Sequence, residues 1–275
     1  MPNKTWFITG CSRGFGREWA KAALDRGDRV AATARKLDTL DDLVAAHGDR
    51  ILPIQLDVRD KAAATAAVDR AAAHFGRLDV IVNNAGFGLF GMIEEVTEAE
   101  ARDQLETNVF GALWVTQAAL PHLRAQKSGH ILQVSSIGGI VAFPGIGLYH
   151  ASKWALEGFS QSLAGEVAGF GIHVTLIEPG GFDTDWSGSS AVRAKEQPQY
   201  AALREKMAAM RKSMIGKRGN AEASATAILA VVDAEKPPLR LFLGEAPLGL
   251  AKADYEQRLA EWEAWDAVSK AAQGN

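Results

Sequence analysis

The sequence predicts an α/β fold in which one mostly parallel, doubly wound sheet of seven strands carries helices on both faces. Seven short apolar segments that have the character of buried strands alternate with helical segments along the chain, which is the pattern of a parallel sheet. A glycine-rich turn directly follows the first predicted strand, an arrangement found at nucleotide-binding sites. The chain has 275 residues, 47% of them hydrophobic, so we predict a single large domain with a sizeable core.

Most of the predicted strands are followed at once by a glycine, an amide or a charged residue. The strands are Thr5–Thr9, Arg29–Thr33, Ile51–Leu56, Val80–Val82, His130–Ser135, Ile172–Ile177 and Leu239–Leu243. Helices are predicted between them wherever capping signals occur. They run from near Gly16 to about Asp25, from the N-cap Asp60 to Gly76, from the capping box of Thr97 and Glu100 to about Pro121, and onward from the N-cap Asn220.

Composition argues against several functional classes. The formal net charge is −3 and there is no long basic run, so a nucleic acid partner is not expected. The single cysteine, Cys11, cannot form an internal disulfide, which fits a reducing compartment. No apolar run approaches the roughly 18 residues of a membrane span, and the first strand begins too early for a signal peptide. The histidines show no metal-ligand spacing. We therefore expect a cytoplasmic protein that binds neither a membrane nor a metal.

The glycine-rich turn is the clearest candidate for a ligand site. Gly10, Gly14 and Gly16 follow the first strand in the spacing G-x-x-x-G-x-G, and a helix begins there. Such glycines permit a tight turn and a close approach of the backbone to a pyrophosphate, which the helix N-terminus attracts. An ordinary strand-to-helix loop is the alternative, but the motifs that follow favour a dinucleotide.

Two arginines predict which dinucleotide is bound. The end of the second strand is where NAD-binding proteins place an acidic residue on the ribose hydroxyls. Here the strand leads into Arg35, with no acidic residue before Asp38, and Arg13 adds a cation in the glycine turn. Two guanidinium groups near the ribose suit the 2′-phosphate of NADP. We therefore expect NADP(H) to be preferred over NAD(H).

Three further strand ends supply candidate cofactor contacts. Asp57-Val58 follows the third strand and is placed to meet the adenine ring. Asn83-Asn84-Ala85-Gly86 follows the fourth strand, where small residues allow close backbone approach and an amide can tie neighbouring strand ends together. Glu178-Pro179-Gly180 stops the sixth strand where a nicotinamide could lie.

Tyr149, Lys153 and Ser136 are the candidate catalytic side chains. Tyr149 and Lys153 are four residues apart and stack on one face of a predicted helix. We expect the lysine ammonium to favour the phenolate and to lower the phenol's pKa from about 10 toward the working range. Ser136 follows the fifth strand and can reach the same carbonyl oxygen as the phenol. His150 is predicted to point away from this face.

Asn108 is a further candidate, because asparagine is unfavourable inside a helix. Its apolar neighbours Val109, Ala112 and Leu113 suggest that it is buried. A buried asparagine usually belongs to a hydrogen-bond network.

Taken together, these residues resemble the short-chain dehydrogenase/reductase family over roughly Thr5 to Leu243. The glycine turn is similar to the cofactor loop of the family's shorter, non-extended branch, and Asn83-Asn84-Ala85-Gly86 resembles its N-N-A-G motif. Asn108, Ser136, Tyr149 and Lys153 match its catalytic tetrad, and Pro179-Gly180-x-x-x-Thr184 matches its nicotinamide loop. The long tail after Leu243 departs from the family's shortest members, in which the C-terminus often helps to build a tetramer.

The resemblance implies an NADP(H)-dependent oxidoreductase with a Rossmann-like fold. Tyr149 would be the general acid or base, Ser136 would hold the substrate oxygen, Lys153 would serve both the phenol and the nicotinamide ribose, and Asn108 would anchor a proton-relaying water. The expected cofactor-binding residues are Gly10, Ser12, Arg13, Gly14, Phe15, Gly16, Arg35, Asp57, Val58, Asn84, Ala85, Gly86, Tyr149, Lys153, Pro179, Gly180, Phe182 and Thr184.

We assign residues 1–250 to this catalytic domain, with 183–219 as a substrate-loop insertion or lid that includes a helix at Tyr200–Met214. Residues 251–275 form a helical extension whose aromatic stripe is expected to pack on the body or on another subunit of a homodimer or homotetramer. Its acidic polar side argues against an anionic membrane. The stripe comprises Tyr255, Leu259, Trp262 and Trp265.

The predicted partner is a small-molecule hydrophobic carbonyl compound or alcohol, and a medium or large ketone or secondary alcohol is expected rather than a sugar or a charged acid. This follows from the bulky apolar residues expected near the pocket, some of which could instead belong to the core. They are Phe87, Leu89, Phe90, Ile137, Val141, Phe143, Trp186 and the helix at Met207–Met210. Two alternatives remain: a dinucleotide-sensing regulator on the same fold, which commonly lacks the tyrosine or lysine, and an epimerase or dehydratase, which the glycine spacing disfavours.

Overall fold

A seven-stranded parallel sheet forms the centre of the molecule. The computed structural model describes residues 3–213 and 218–274. The strands are β1 (Thr5–Ile8), β2 (Arg29–Ala34), β3 (Ile51–Gln55), β4 (Val80–Asn83), β5 (Gly129–Val134), β6 (Ile172–Pro179) and β7 (Arg240–Leu243). Their order across the sheet is β3-β2-β1-β4-β5-β6-β7, and every neighbouring pair is parallel. Successive strands are added on one side of β1 up to β3 and on its other side from β4 onward. The ligand crevice of α/β proteins forms at such a switch point, here between β1 and β4.

Nine helices surround this sheet in the described part of the chain. They are α1 (Gly14–Asp25), α2 (Asp41–His47), α3 (Lys61–Phe75), α4 (Glu98–Leu105), α5 (Gly111–Gln126), α6 (Gly147–Val167), α7 (Ala201–Ser213), α8 (Ser224–Asp233) and α9 (Ala246–Ala271). The predicted doubly wound α/β fold is confirmed.

The core has two apolar layers because alternate residues of a strand point to opposite faces of the sheet. From β1, Trp6 and Ile8 pack in one layer with Trp19 of α1. Phe7 packs in the other layer, which also contains Leu123 of α5. Both layers are continuous hydrophobic clusters, and they hold the strand ends, and hence the site, in fixed positions.

Several predicted helix boundaries differ from the observed ones. α1 begins at Gly14 rather than Gly16, because Arg13 is the last extended residue before the helix. Pro121 lies inside α5 instead of ending it. Proline removes one hydrogen bond of the helix, and the buried Leu123 two residues later keeps the last turn on the core. The Asn220 side chain accepts bonds from the backbone of Glu222 and Ala223 in a turn, so α8 begins only at Ser224.

The segment predicted as a lid contains short paired strands and a helix, and the predicted C-terminal extension is part of a long helix. Phe182–Asp183 pairs with Gly219–Asn220, which joins the two ends of the segment to each other. Val192–Arg193 pairs with Leu89–Phe90, which ties the middle of the segment to the body. The predicted helix there is α7, although Met214 lies outside the described residues. α9 begins before residue 251. Among the described residues, no helix combines the length and the apolar character needed to cross a membrane.

Candidate active site

A cleft of about 510 Å³ opens at the carboxyl ends of the central strands. Of the predicted catalytic and cofactor-binding residues, all but Gly16 and Asn108 line it. Gly16 lies behind the turn, where an added side chain would begin 2.6 Å from the Gly10 carbonyl oxygen. Asn108 is buried and contacts Ser152 of α6 instead. The fold therefore brings the sequence-predicted residues to one place.

The glycine turn is held by the end of the neighbouring strand β4. Gly10 has φ +73°, a left-handed conformation that favours glycine, and an added Cβ would lie 3.0 Å from the Ala85 Cα. The Asn84 side-chain amide donates to the carbonyl oxygens of Thr9 at 2.8 Å and Gly10 at 3.1 Å. This side chain thus ties two strand ends together, as the sequence predicts.

The charged residues near the expected ribose have unequal environments. Arg35 is exposed at the edge of the cleft. The guanidinium of Arg13 pairs with Asp185 of the lid segment and donates to the Ser189 hydroxyl at 3.1 Å. The Asp57 carboxylate accepts hydrogen bonds from the Arg59 guanidinium, and that contact holds the pKa of the carboxyl below its usual range. Sequence reasoning missed Asp185 and Arg59, which also line the cleft.

Tyr149 and Lys153 are buried on the face of α6 that meets the cleft. Only 7% of Tyr149 and 6% of Lys153 is exposed. The Lys153 ammonium donates to the Val134 carbonyl oxygen at 2.7 Å and lies 5.7 Å from the centre of the Tyr149 ring. The Ser136 hydroxyl accepts from the Gly138 backbone at 2.9 Å, so the serine is fixed at the end of β5, beside the phenol.

The pKa values of this pair differ from the sequence-based expectation. Burial raises the pKa of Tyr149 to about 12, and a hydrogen bond with Ser136 offsets part of that rise. Burial lowers the pKa of Lys153 to about 8, and the negative charge of Glu157 offsets part of that change. The expectation that Lys153 lowers the phenol's pKa is therefore not met, because desolvation of the phenol outweighs the effect of its neighbours.

Asn108 belongs to a buried network, as predicted. It lies in a π-helical turn, Glu106–Phe110, that joins α4 to α5, a distortion common at functional sites. Its side chain accepts from the Phe87 backbone at 3.1 Å and donates to the Ser152 hydroxyl on α6 at 3.1 Å. Asn108 therefore joins the cleft wall at Phe87 to α6.

His150 has a structural role that sequence reasoning missed. Its ring is buried, with Nδ1 2.8 Å from the Gly138 carbonyl oxygen, and Nε2 accepts from the Phe143 backbone at 2.9 Å. The second bond requires an unprotonated Nε2, so Nδ1 carries the proton and donates to Gly138. Burial lowers the pKa of His150 and keeps the ring neutral. It does point away from the Tyr149 face, and there it anchors the turn after Ser136.

The expected substrate-pocket residues fall into several environments. The Trp186 ring lies tilted against the Tyr149 ring, with 4.8 Å between ring centres, and Phe87 lines the same cleft. Phe90 and Met207 line a smaller neighbouring cavity of about 210 Å³. The remaining ones do not line either cavity: Leu89 and Ile137 are buried core, Val141 is packed against the core, and Phe143 is exposed. The Met210 side chain lies outside the described residues.

No three metal-binding side chains come together in the part of the chain that the structure describes. The cleft instead offers hydroxyl, phenol and ammonium groups beside a glycine turn. Such groups can hold a dinucleotide and move a proton.

Known proteins are similar to this chain in sequence and in fold. The family described as short chain dehydrogenase matches residues 4–195. Oxidoreductase BOA17 of Botryotinia fuckeliana (strain B05.10) is 43% identical over 271 residues, covering 98% of this chain and 99% of that protein. A crystal structure of a short-chain dehydrogenase from Streptomyces avermitilis is 41% identical, with a TM-score of 0.92 over 98% of each chain.

A more distant structure shows what this fold can bind. The alcohol dehydrogenase of the archaeon Thermococcus sibiricus, complexed with 5-hydroxy-NADP, is 25% identical, with a TM-score of 0.73 over 88% of this chain and 96% of that one. Fold, site and relatives agree. The chain belongs to the short-chain dehydrogenase/reductase family, and it is an NAD(P)-dependent oxidoreductase.

Proposed function

We propose that this protein interconverts a hydrophobic ketone or aldehyde and its alcohol by hydride transfer, with NADP(H) as the preferred cofactor and Tyr149 as the general acid/base. The observation that carries the proposal is the buried phenol at the cleft, with Ser136 beside it and the Lys153 ammonium 5.7 Å from its ring. Proton transfer by a positioned group contributes roughly 10²–10⁴-fold to a rate. The nicotinamide, when bound, supplies or takes up the hydride.

Each side chain then has a separate task. Tyr149, whose pKa is about 12, keeps its proton at neutral pH and can give it to a carbonyl oxygen during reduction. Ser136 holds that oxygen. Lys153, whose pKa is about 8, is mainly cationic at pH 7 and stabilises the phenolate left behind. Asn108 would anchor a water that returns the proton by way of Lys153.

The cofactor preference rests on charge at the expected ribose site. Arg35 is exposed, and no ion pair is seen for it among the described residues, so it is free to meet a phosphate. Arg13 would have to share its guanidinium with Asp185. The Thermococcus sibiricus protein is complexed with 5-hydroxy-NADP, so the shared fold can hold an NADP derivative, and the preference itself rests on Arg35.

The substrate class rests on the walls of the cleft near Tyr149. Phe87 and Trp186 are large and apolar, and Trp186 lies over the phenol. Such walls favour an alicyclic or aromatic carbonyl compound over a sugar or a charged acid. We also place the protein in the cytoplasm, which fits a single cysteine that is buried and unpaired. We expect a homodimer or homotetramer, which fits the exposed apolar residues of α9.

The test is Tyr149→Phe, assayed with NADPH over a panel of ketones, aldehydes and quinones. We expect the kcat of the best substrate to fall by roughly 10²–10⁴-fold, while the Kd for NADPH stays within about twofold. A variant that keeps more than about a tenth of wild-type kcat would show that another group is the acid. Wild-type protein that binds NADPH but reduces nothing in the panel would favour the sensor alternative.

A further inference from the structure

Behind Lys153 lies a second group of buried charges that the proposed reaction does not use. Glu157, one helical turn beyond Lys153 on α6, and Glu178, at the end of β6, are 6% and 0% exposed. Arg240 of β7 reaches both: its Nε lies 3.0 Å from a Glu157 oxygen and 3.3 Å from a Glu178 oxygen. Buried carboxyl groups are costly unless they are paired and hydrogen-bonded, so this cluster requires an explanation.

One arginine does not satisfy two carboxylates. Arg240 is hydrogen-bonded to Glu157 and, through Nη2, to Gln161 at 2.9 Å. Neither oxygen of Glu178, nor the second oxygen of Glu157, has a hydrogen-bond donor among the described residues. The two carboxyl groups nevertheless meet at the same Arg240 Nε, 3.0 Å and 3.3 Å away, and their contact with each other raises the pKa of Glu178. Ionised carboxylates only accept hydrogen bonds, so that contact becomes a bond only if one group carries a proton.

We propose that Glu157 and Glu178 share a single proton, and that this Arg240-bound carboxyl pair is the positioning element of Lys153. Two carboxyl groups in contact inside a protein cannot both ionise cheaply, and holding one proton between them removes the repulsion. Burial and the charge of Glu157 raise the pKa of Glu178 far above that of an ordinary glutamate. This agrees with a proton retained at neutral pH.

The pair is placed to act on the catalytic residues from behind. The remaining negative charge, on Glu157, opposes the loss of the Lys153 proton. Glu178 directly precedes the Pro179-Gly180 loop of the cleft. On the side of Ser136, an added side chain at Gly139 would begin 2.6 Å from the Ser135 hydroxyl and 2.9 Å from Glu157 Cγ. Gly139 thus leaves the room that Glu157 occupies.

Among the described residues, Glu157 is the charge that acts on the pKa of Lys153. Several charged side chains that line the same cleft are paired with each other, Arg13 with Asp185 and Arg59 with Asp57. On α6 the titratable neighbours of Lys153 are Tyr149, which stays protonated, and His150, whose ring is neutral and bonded to the turn after Ser136. The π-helical turn contributes only the uncharged contact of Asn108 with Ser152. The counter-charge of Lys153 is therefore this carboxyl pair, with Arg240 at its outer end.

The shared proton can be tested without turnover. We expect the infrared carbonyl band of a protonated carboxyl group in the wild type at pH 7, absent from Glu178→Gln and unchanged in Glu166→Gln, which alters an exposed glutamate of the same helix. If the wild type and Glu178→Gln have identical spectra, no proton is shared and the inference is wrong. This readout holds even if the proposed reaction does not occur.

The positioning role rests on the proposed function and is tested by the pH profile of carbonyl reduction. Lys153 should lose its proton earlier when the negative charge of the pair is moved off Glu157 and onto Glu178. In Glu157→Gln we therefore expect the high-pH loss of kcat to move down by about one pH unit, with the midpoint of Glu166→Gln unchanged. Glu178→Gln resembles the protonated carboxyl and can still donate to Glu157, so it should keep more kcat than Glu178→Leu. Coincident profiles for Glu157→Gln and Glu166→Gln would overturn this role.

Discussion

At the scale of single residues, the site keeps a phenol and an ammonium group out of water in the same place. Burial favours the neutral form of each, so the pKa of Tyr149 rises to about 12 and that of Lys153 falls to about 8. A buried cation that function requires lowers the stability of the fold. The stabilities of wild type and variants should reveal this trade-off.

Lys153→Met is expected to inactivate the enzyme but stabilise the fold at pH 7. Unfolding returns the pKa of the lysine from about 8 to its ordinary 10.5. Below pH 8 the lysine is charged in both states, and burying that charge lowers the free energy of unfolding. The free energy of unfolding should rise by about 1–3 kcal/mol, less than the full shift implies because the bond to Val134 is lost.

Urea denaturation of both proteins checks this expectation. In the wild type, the stability cost of burying the charged lysine is fully present below about pH 8 and fades as the pH rises to about 10.5. The advantage of the methionine variant should therefore shrink over that interval. A variant that is less stable than wild type at pH 7 would contradict the expected cost of burying this lysine.

Arg35→Ala should weaken NADPH binding by roughly ten- to a hundredfold, because hydrogen bonds to charged groups contribute about 1.5–3 kcal/mol each. NADH lacks the phosphate, so its Kd should hardly change. Arg35→Asp should go further by repelling the phosphate and offering the ribose an acceptor. Lys36→Ala removes a neighbouring exposed cation and serves as the control. Equal losses for both cofactors in Arg35→Ala would show that this arginine does not read the phosphate.

At the scale of elements, one buried carboxylate anchors α7, the helix of the predicted lid. Glu95 accepts from the backbone of Met92 at 2.8 Å and of Gln197 at 2.7 Å, and it pairs with Arg204 of α7. The pKa of Glu95 is lowered to about 2, mainly by its hydrogen bond with Arg204. The anchor is therefore present above the ordinary glutamate range and is lost only as the pH falls toward 2.

Glu95→Gln should loosen this lid without changing the cofactor site. We expect faster proteolysis in the segment 196–213 and a severalfold higher substrate KM, because α7 loses its charged partner. Proteolysis of the wild type should hardly vary between about pH 5 and 9, since Glu95 stays ionised. The control is Glu196→Gln, which alters the exposed partner of the same arginine. Equal cleavage of the two variants would rule out the anchoring role.

At the scale of the whole molecule, α9 leaves the body before it ends. Arg258 still donates to the Ile140 carbonyl oxygen and stacks on Trp154. From Leu259 onward every described residue is exposed, including Trp262 at 58% and Trp265 at 62%. Apolar residues exposed together mark an interaction surface, which supports the prediction of a homo-oligomer.

Replacing both tryptophans by glutamate should reduce the oligomer to a smaller species while kcat stays within about twofold. Charge on an apolar contact surface is costly to bury, and the cleft lies elsewhere. Light scattering after size exclusion measures the mass, with Glu263→Gln as the control on the same helix. A wild type that is monomeric at micromolar concentration, or a double variant of unchanged mass, would refute this role of α9.

Local sequence determined most of the fold and the membership of the site. The seven strands, the glycine turn and the catalytic side chains follow from apolar runs, from the conformational freedom of glycine and from the helical spacing of Tyr149 and Lys153. These signals lie within a few residues of one another. The helix past Pro121 and the late start of α8 escaped prediction, because core packing and a turn outweighed the local signals.

Only the tertiary structure decided how the site is charged and braced. Three arrangements join residues that are distant in sequence or on different elements: the pairing of Arg13 with Asp185, the anchoring of His150, and the meeting of Glu157 and Glu178 at Arg240. The raised pKa of Tyr149 is likewise a property of its burial. The sequence names the groups that can react. Their distances and their exclusion from water, which fix their charges, exist only once the chain is packed.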